Sequence, residues 1–225
     1  MKPIRVFQTL FPALVVLAGC SSSPTQPKPG PALASNDTPA HAVSRFVSSY
    51  EQRNEDAYAG MFTGDYTYEF STTTDPTLVQ EYSTGWFKTD ETESSSHLFH
   101  GYTPPGGATL PAAKSIDINF AVDTPTDDNS PGIDPVTHKV LATRVDGSFT
   151  VPQAGSEPLI YVITNNYNVF YFVRGDSAVG LGSSQPADSL HWYVYRWVDL
   201  SEALPVANRA QVKSSTWGSV KSTYR

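Results

Sequence analysis

The stretch SRFVSSYEQRNEDAYAGMFTGDYTYEF, Ser44 to Phe70, decides the fold, because the spacing of its apolar residues changes from helical to alternating within it. Upstream, Thr38 can cap a helix and Pro39 suits its first position; Ala42, Phe46, Val47 and Tyr50 then recur at helical spacing. Asn54 offers a second cap, with Glu55 and Asp56 in the following first turn and Ala57, Tyr58, Met61 and Phe62 on one side. Gly64-Asp65 interrupts that helix. Asp65 to Phe70 alternates and is rich in aromatic and branched residues, so a long helix, a short helix and a first strand are predicted.

Further strands follow. SIDINFAV, Ser115 to Val122, sets Ile116, Ile118 and Phe120 against polar neighbours, and Lys139 to Val151 is a longer strand, bent or broken at Asp146-Gly147. LIYVITNNYNVFYFVR, Leu159 to Arg174, reads as one long strand or a hairpin about Asn165-Asn166; the hairpin is favoured because asparagine tolerates left-handed backbone. HWYVYRWVDL, His191 to Leu200, closes the sheet. Strict alternation puts Trp192, Val194, Arg196 and Val198 on one face and Tyr193, Tyr195, Trp197 and Asp199 on the other. Arg196, on an otherwise apolar face, is expected to pair with a carboxylate. The expected class is α+β, with five or six mostly antiparallel strands and early helices. Segments near 75–114 and 123–138 read as insertions, the first holding a short helix from Asp90 to Phe99.

The Ser44 to Phe70 layout resembles the opening of the nuclear transport factor 2-like superfamily, which includes SnoaL-like and ketosteroid isomerase-like proteins. HWYVYRWVDL is similar to its closing strand, and TWGSVKSTYR, Thr216 to Arg225, resembles a terminal segment of bacterial lipoprotein relatives. The resemblance implies a cone: N-terminal helices packed in a strongly curved sheet around a pocket, lined here by Phe46, Tyr50, Tyr66, Tyr68, Phe70, Trp86, Tyr193, Tyr195 and Trp197. It also implies that a ketosteroid isomerase-like oxyanion tyrosine would fall on Phe46 and the base on Phe70. Neither can do that work. Glu69 is adjacent to Phe70 but points to the opposite strand face.

The chain has 225 residues, 39% hydrophobic and 16% charged, with 18 prolines and 15 glycines, which suits one loop-rich domain. Before it, Lys2 and Arg5 precede a mostly apolar run from Phe7 to Leu17, a secretory signal layout. Leu17-Ala18-Gly19-Cys20 resembles the lipobox of bacterial lipoproteins, which implies cleavage between Gly19 and Cys20 and acylation of Cys20. Cys20 is the only cysteine, so no disulfide can form within the chain. The expected layout is a signal peptide over 1–19, the lipidated cysteine and a Ser/Pro-rich tether over 20–37, and the domain over 38–225. Ser21, where an inner-membrane retention signal would favour aspartate, favours the outer membrane. The formal net charge is −7, and loss of Lys2 and Arg5 makes it more negative, which argues against nucleic acid and against electrostatic lipid binding.

Other chemistry is sparse. His97 and His100 have helical spacing for a metal but lack an accompanying glutamate motif, and Asp123, Asp127, Asp128 and Asp134 miss the calcium-loop spacing. No nucleophile elbow accompanies the scattered Ser, His and Asp residues. No cofactor or metal is expected. The functional expectation is a cell-envelope lipoprotein, membrane-bound through its lipid, whose non-catalytic domain binds a small apolar or aromatic ligand or a protein partner, with a homodimer through the sheet as one arrangement. The alternative is a SnoaL-like enzyme using general acid-base chemistry on a hydrophobic substrate.

Overall fold

Helix α1, Pro39–Glu51, begins where Thr38 Oγ1 accepts from the His41 N–H at 3.1 Å, and it buries Ala42, Val43, Phe46, Ser49 and Tyr50 along one stripe. A tight connection through Arg53, which has positive φ, leads to α2, Glu55–Ala59, capped by Asn54 Oδ1 at 3.0 Å from the Ala57 N–H. The computed structural model describes residues 32–202 and 212–225. Gly19, Cys20, the signal segment and most of the tether therefore lie outside the described residues. Among those described, no helix is long and apolar enough to cross a membrane.

Strand β1, Phe62–Glu69, starts earlier than the sequence reading placed it, because Met61 and Phe62 turn into the core rather than completing a helical face. The segment after it is structured: α3, Pro76–Glu81; β2, Trp86–Phe87; and α4, Lys88–His100. Asp90 anchors the start of α4 by accepting from the Phe87 N–H at 2.8 Å. Trp86, Leu98, Phe99 and Ala113 all belong to the main core, so the segment expected as an insertion supplies part of the interior.

The remaining elements are β3, Ser115–Val122; β4, Thr126–Asp127; β5, His138–Gln153; β6, Ser156–Arg174; β7, Trp192–Asp199; β8, Val212–Ser214; and α5, Trp217–Thr223. Six strands run in the order β2-β1-β7-β6-β5-β3, with β4 added on β5 and β8 on β6. All neighbours are antiparallel except β1 with β7 and β6 with β8. Helix α1 packs on β3, β5 and β7; α4 lies against β1 and α2; α5 packs on α4 and β6. The fold is α+β: an open, curved, mostly antiparallel sheet wrapped around helices.

Two irregularities correct the sequence reading. No hairpin forms at Asn165-Asn166; β6 is one strand of 19 residues. Asn165 does take left-handed backbone, φ 49°, but the result is a bulge, with the β5 register shifting between Val145 and Gly147. The Asn165 N–H donates to Asp146 Oδ1 at 2.8 Å, which holds the kink. Across it the core-facing residues change from Tyr161 and Ile163 to Asn166, Asn168, Phe170 and Phe172.

The second lies in β7. Tyr171 pairs with Arg196 but Phe172 pairs with Val194, so Tyr195 is an extra residue and the strand changes face there. Val194 and Trp197 both enter the core. Tyr193 and Tyr195, expected beside Trp197, lie outside that cluster: the Tyr193 hydroxyl donates to Pro186 O at 3.0 Å and the Tyr195 hydroxyl to Asp128. Asp128 belongs to the 123–138 segment, which thereby covers part of the sheet's outer face. Arg196 reaches the carboxylate expected for it, donating from Nε to Glu69 Oε1 at 2.6 Å and from Nη2 to Oε2 at 3.1 Å.

Candidate functional site

Seven of the nine residues expected to line a pocket meet inside the cone. Phe46, Tyr50, Tyr66, Tyr68, Phe70, Trp86 and Trp197 form one buried cluster. Their rings pack against one another. Phe46 lies with ring centroids 5.3 Å from each of Tyr58, Phe120 and Trp197, and Trp217 of α5 lies 5.8 Å from Phe46, 5.3 Å from Tyr50 and 5.5 Å from Trp197. Such offset and edge-on contacts fill space as a core does. Gly218 permits this docking: a Cβ there would come within 2.8 Å of the Phe70 ring and 3.2 Å of the Tyr68 hydroxyl. Tyr193 instead borders a surface cleft with Arg45, Asp56 and Gln185.

The polar centre of this interior is a residue the sequence reading passed over. Glu91, in the first turn of α4, is wholly buried. Its Oε2 accepts from Lys221 Nζ at 2.6 Å, Trp86 Nε1 at 3.0 Å and the Tyr66 hydroxyl at 3.2 Å, and its Oε1 accepts from the Tyr58 hydroxyl. The ammonium of Lys221 also lies 3.7 Å from the ring centres of both Tyr68 and Trp197. Burial pushes the Lys221 ammonium down to about 8, against the opposing pull of Glu91. Three donors converge on Oε2 and one on Oε1, so both carboxylate oxygens are engaged by side chains of the interior.

A second buried network adjoins it. Asp199 accepts from the Tyr68 hydroxyl at 3.2 Å and from the N–H of Ser201 at 2.9 Å, while burial pushes its carboxyl up. Trp197 Nε1 donates to Asn168 Oδ1 at 2.8 Å, and Asn168 in turn donates to Asn166. His97 and His100 part company: His97 Nδ1 lies 2.7 Å from Tyr224 O, and His100 pairs with Glu55 at 2.9 Å.

The buried phenols set an alkaline limit on stability. Burial is the first cause that pushes Tyr50, Tyr58, Tyr66 and Tyr68 up from 10, with the Glu91 charge or Asp199 adding to it. They stay neutral in the folded state while the unfolded chain ionises them from 10 upward, so the stability they confer is complete below that pH and declines above it. Each contributes a loss approaching about 1.4 kcal/mol per pH unit. Lys221 has the opposite sign: it adds stability between about 8 and 10.5 and no slope beyond. Alkaline unfolding should therefore bring a cooperative step in tyrosinate absorbance that accounts for at least these four of the chain's 12 tyrosines. Ionisation of all 12 before the fold is lost would contradict the burial.

Away from the interior, an open groove of about 550 Å³ runs between Leu110, Val151, Leu159, Tyr161, Thr223 and Tyr224. Its lining is mainly apolar, and Lys213 Nζ stands 5.5 Å above the Tyr161 ring at its side.

Fold and site together define an α+β cone whose interior is filled by aromatic rings around a buried ion pair. No protein-family model and no curated protein matches the chain. Among solved structures, it is similar to a conserved protein from Planctomyces limnophilus, at 8% identity over 74% of this chain and 94% of that one, TM-score 0.45. It is also similar to a ketosteroid isomerase-like protein from Erwinia carotovora atroseptica, at 10% identity over 71% and 89%, TM-score 0.39. A protein described as a scytalone dehydratase from Novosphingobium aromaticivorans has 7% identity over 77% and 89%, TM-score 0.44. Values this low bear on neither activity nor substrate.

Proposed function

We propose that this is a lipid-anchored cell-envelope protein whose cone domain is a non-catalytic binding module, engaging a small apolar or aromatic ligand from outside the cone. The observation that supports the non-catalytic reading is the packing around Glu91: four side-chain donors engage the wholly buried carboxylate, which sits in an interior of close-packed aromatic rings. The groove beside Leu159 and Tyr161 is the apolar concavity that supports ligand binding. Its test is the fluorescence of 1-anilinonaphthalene-8-sulfonate with the folded chain. Leu159 is half-buried at the groove, so Leu159→Glu should abolish the signal while leaving the fold intact. Absence of binding to the unsubstituted protein, or binding unchanged by the substitution, would reject the groove.

Anchoring rests on Leu17-Ala18-Gly19-Cys20, since more than one acyl chain on Cys20 exceeds what stable membrane attachment needs. Cys20→Ser should move the protein from the membrane pellet to the soluble fraction and abolish acylation by mass spectrometry. Undiminished pelleting without acylation would reject the assignment. The second reading, a general acid-base enzyme, is favoured by one observation: a carboxylate faces two tyrosine hydroxyls, those of Tyr58 and Tyr66. It requires Lys221 and Trp217 to leave the interior, and turnover by the intact chain would be its proof.

A further inference from the structure

The apolar groove beside α5 has fixed walls. Tyr161 and Tyr224, both buried, lie along it, and the Tyr224 hydroxyl donates to Pro111 O at 3.2 Å, tying the end of α5 to the Leu110-Pro111 side. That side is itself held by paired backbone bonds between Tyr102 and Leu110, at 2.8 and 2.7 Å. The groove's volume, about 550 Å³, falls within the range of roughly 300–1,000 Å³ for small-ligand sites. None of the described residues that line it is acidic, although the chain carries 22 Asp and Glu and a formal net charge of −7. Glu157, also in β6, lies beyond Leu159 and outside the lining.

One cation stands beside this neutral lining. Lys213 of β8 pairs in register with Tyr161 of β6, which puts the two side chains on one face of the sheet, and Lys213 Nζ lies 5.5 Å from the Tyr161 ring centre. Ion pairs among the described residues engage Lys139, Arg174, Arg196, Lys221 and Arg225 but not Lys213. An exposed ammonium without a carboxylate, next to an apolar concavity, is complementary to a ligand that carries negative charge at the end of an apolar body. We propose that the groove binds a fatty monocarboxylate, its chain along Leu110, Val151, Leu159 and Tyr161 and its carboxylate at Lys213 Nζ. The assignment rests on the groove being the ligand site. One ammonium supplies one positive charge, which suits a monoanion better than a doubly charged phosphate group. The net charge of −7 opposes docking on an anionic membrane surface, so the occupant is a single amphiphile rather than a bilayer.

Displacement of the uncharged dye N-phenyl-1-naphthylamine by decanoate, on the purified full chain, tests this. The dye should bind and decanoate should displace it. Lys213→Met keeps an apolar stem and removes the charge, so it should weaken decanoate by about fivefold while leaving the dye's own affinity unchanged. From octanoate to dodecanoate, each added methylene that the groove covers should tighten binding by about two- to fourfold. Bound dye that decanoate does not displace, or displaces equally well in Lys213→Met, overturns the carboxylate assignment and leaves the groove as an apolar site. Dye affinity lost together with decanoate in Lys213→Met would mark Lys213 as a packing residue and overturns the assignment too. A dye that does not bind the unsubstituted chain, or binds regardless of Leu159→Glu, overturns the groove itself and the carboxylate with it.

Discussion

Lys221→Met is expected to destabilise the domain by about 3–5 kcal/mol, the cost of leaving one member of a buried charge pair without its partner. Glu91 would keep the hydroxyls of Tyr58 and Tyr66 and the Trp86 N–H, but nothing would neutralise its charge in a setting that water does not reach. Removing both charges separates this cause from simple loss of packing. Lys221→Met combined with Glu91→Gln retains side-chain volume and a carbonyl oxygen that can accept from two of the three donors, so it should recover more than half of the loss. Midpoints of urea unfolding for the single and double variants measure the difference. A double variant no more stable than Lys221→Met would show that packing, not the stranded charge, sets the cost.

Trp217→Ala should cost a comparable amount, about 3–5 kcal/mol, the range for removing a large aromatic side chain from a packed core. Trp217 is 1% exposed and contacts rings from α1, β3, β5 and β7: Phe46, Tyr50, Phe120, Phe149 and Trp197. Its removal also unseats α5, because Gly218 and Val220 approach the interior behind it. Its indole N–H has no acceptor among the described residues. Trp217→Phe therefore keeps most of the packing and deletes an unpaired donor, and it should cost less than half as much as Trp217→Ala. Equal losses in the two variants, read from denaturant midpoints, would mean that the indole makes a contact beyond van der Waals packing.

Some of this architecture was open to inspection in the chain itself. The caps at Thr38 and Asn54, the stripe Ala42-Phe46-Tyr50 and the acids opening α4 are local signals, each decided by residues within a turn or two. That Arg196 pairs with a carboxylate was legible from its charge within an apolar strand, although the extra residue at Tyr195 puts it on the face opposite Val194. Glu91 had a signal that was missed. Ser94, Ser95, Leu98 and Phe99 lie three, four, seven and eight residues after it and are all buried, so it heads the inward stripe of α4 rather than only decorating a first turn.

Sequence alone determined the order of helices and strands through Phe70 and the α+β class, because each depends on neighbours in the chain. The tertiary structure decided which faces those elements present. A single extra residue at Tyr195 reverses the face of β7, and a left-handed Asn165 does the same in β6; alternation cannot reveal an insertion whose need arises from sheet curvature. The filling of the cone was likewise out of reach. It depends on α5 bringing Trp217 and Lys221 back across 130 residues to Glu91, and that closure is set by the whole sheet rather than by any segment of it.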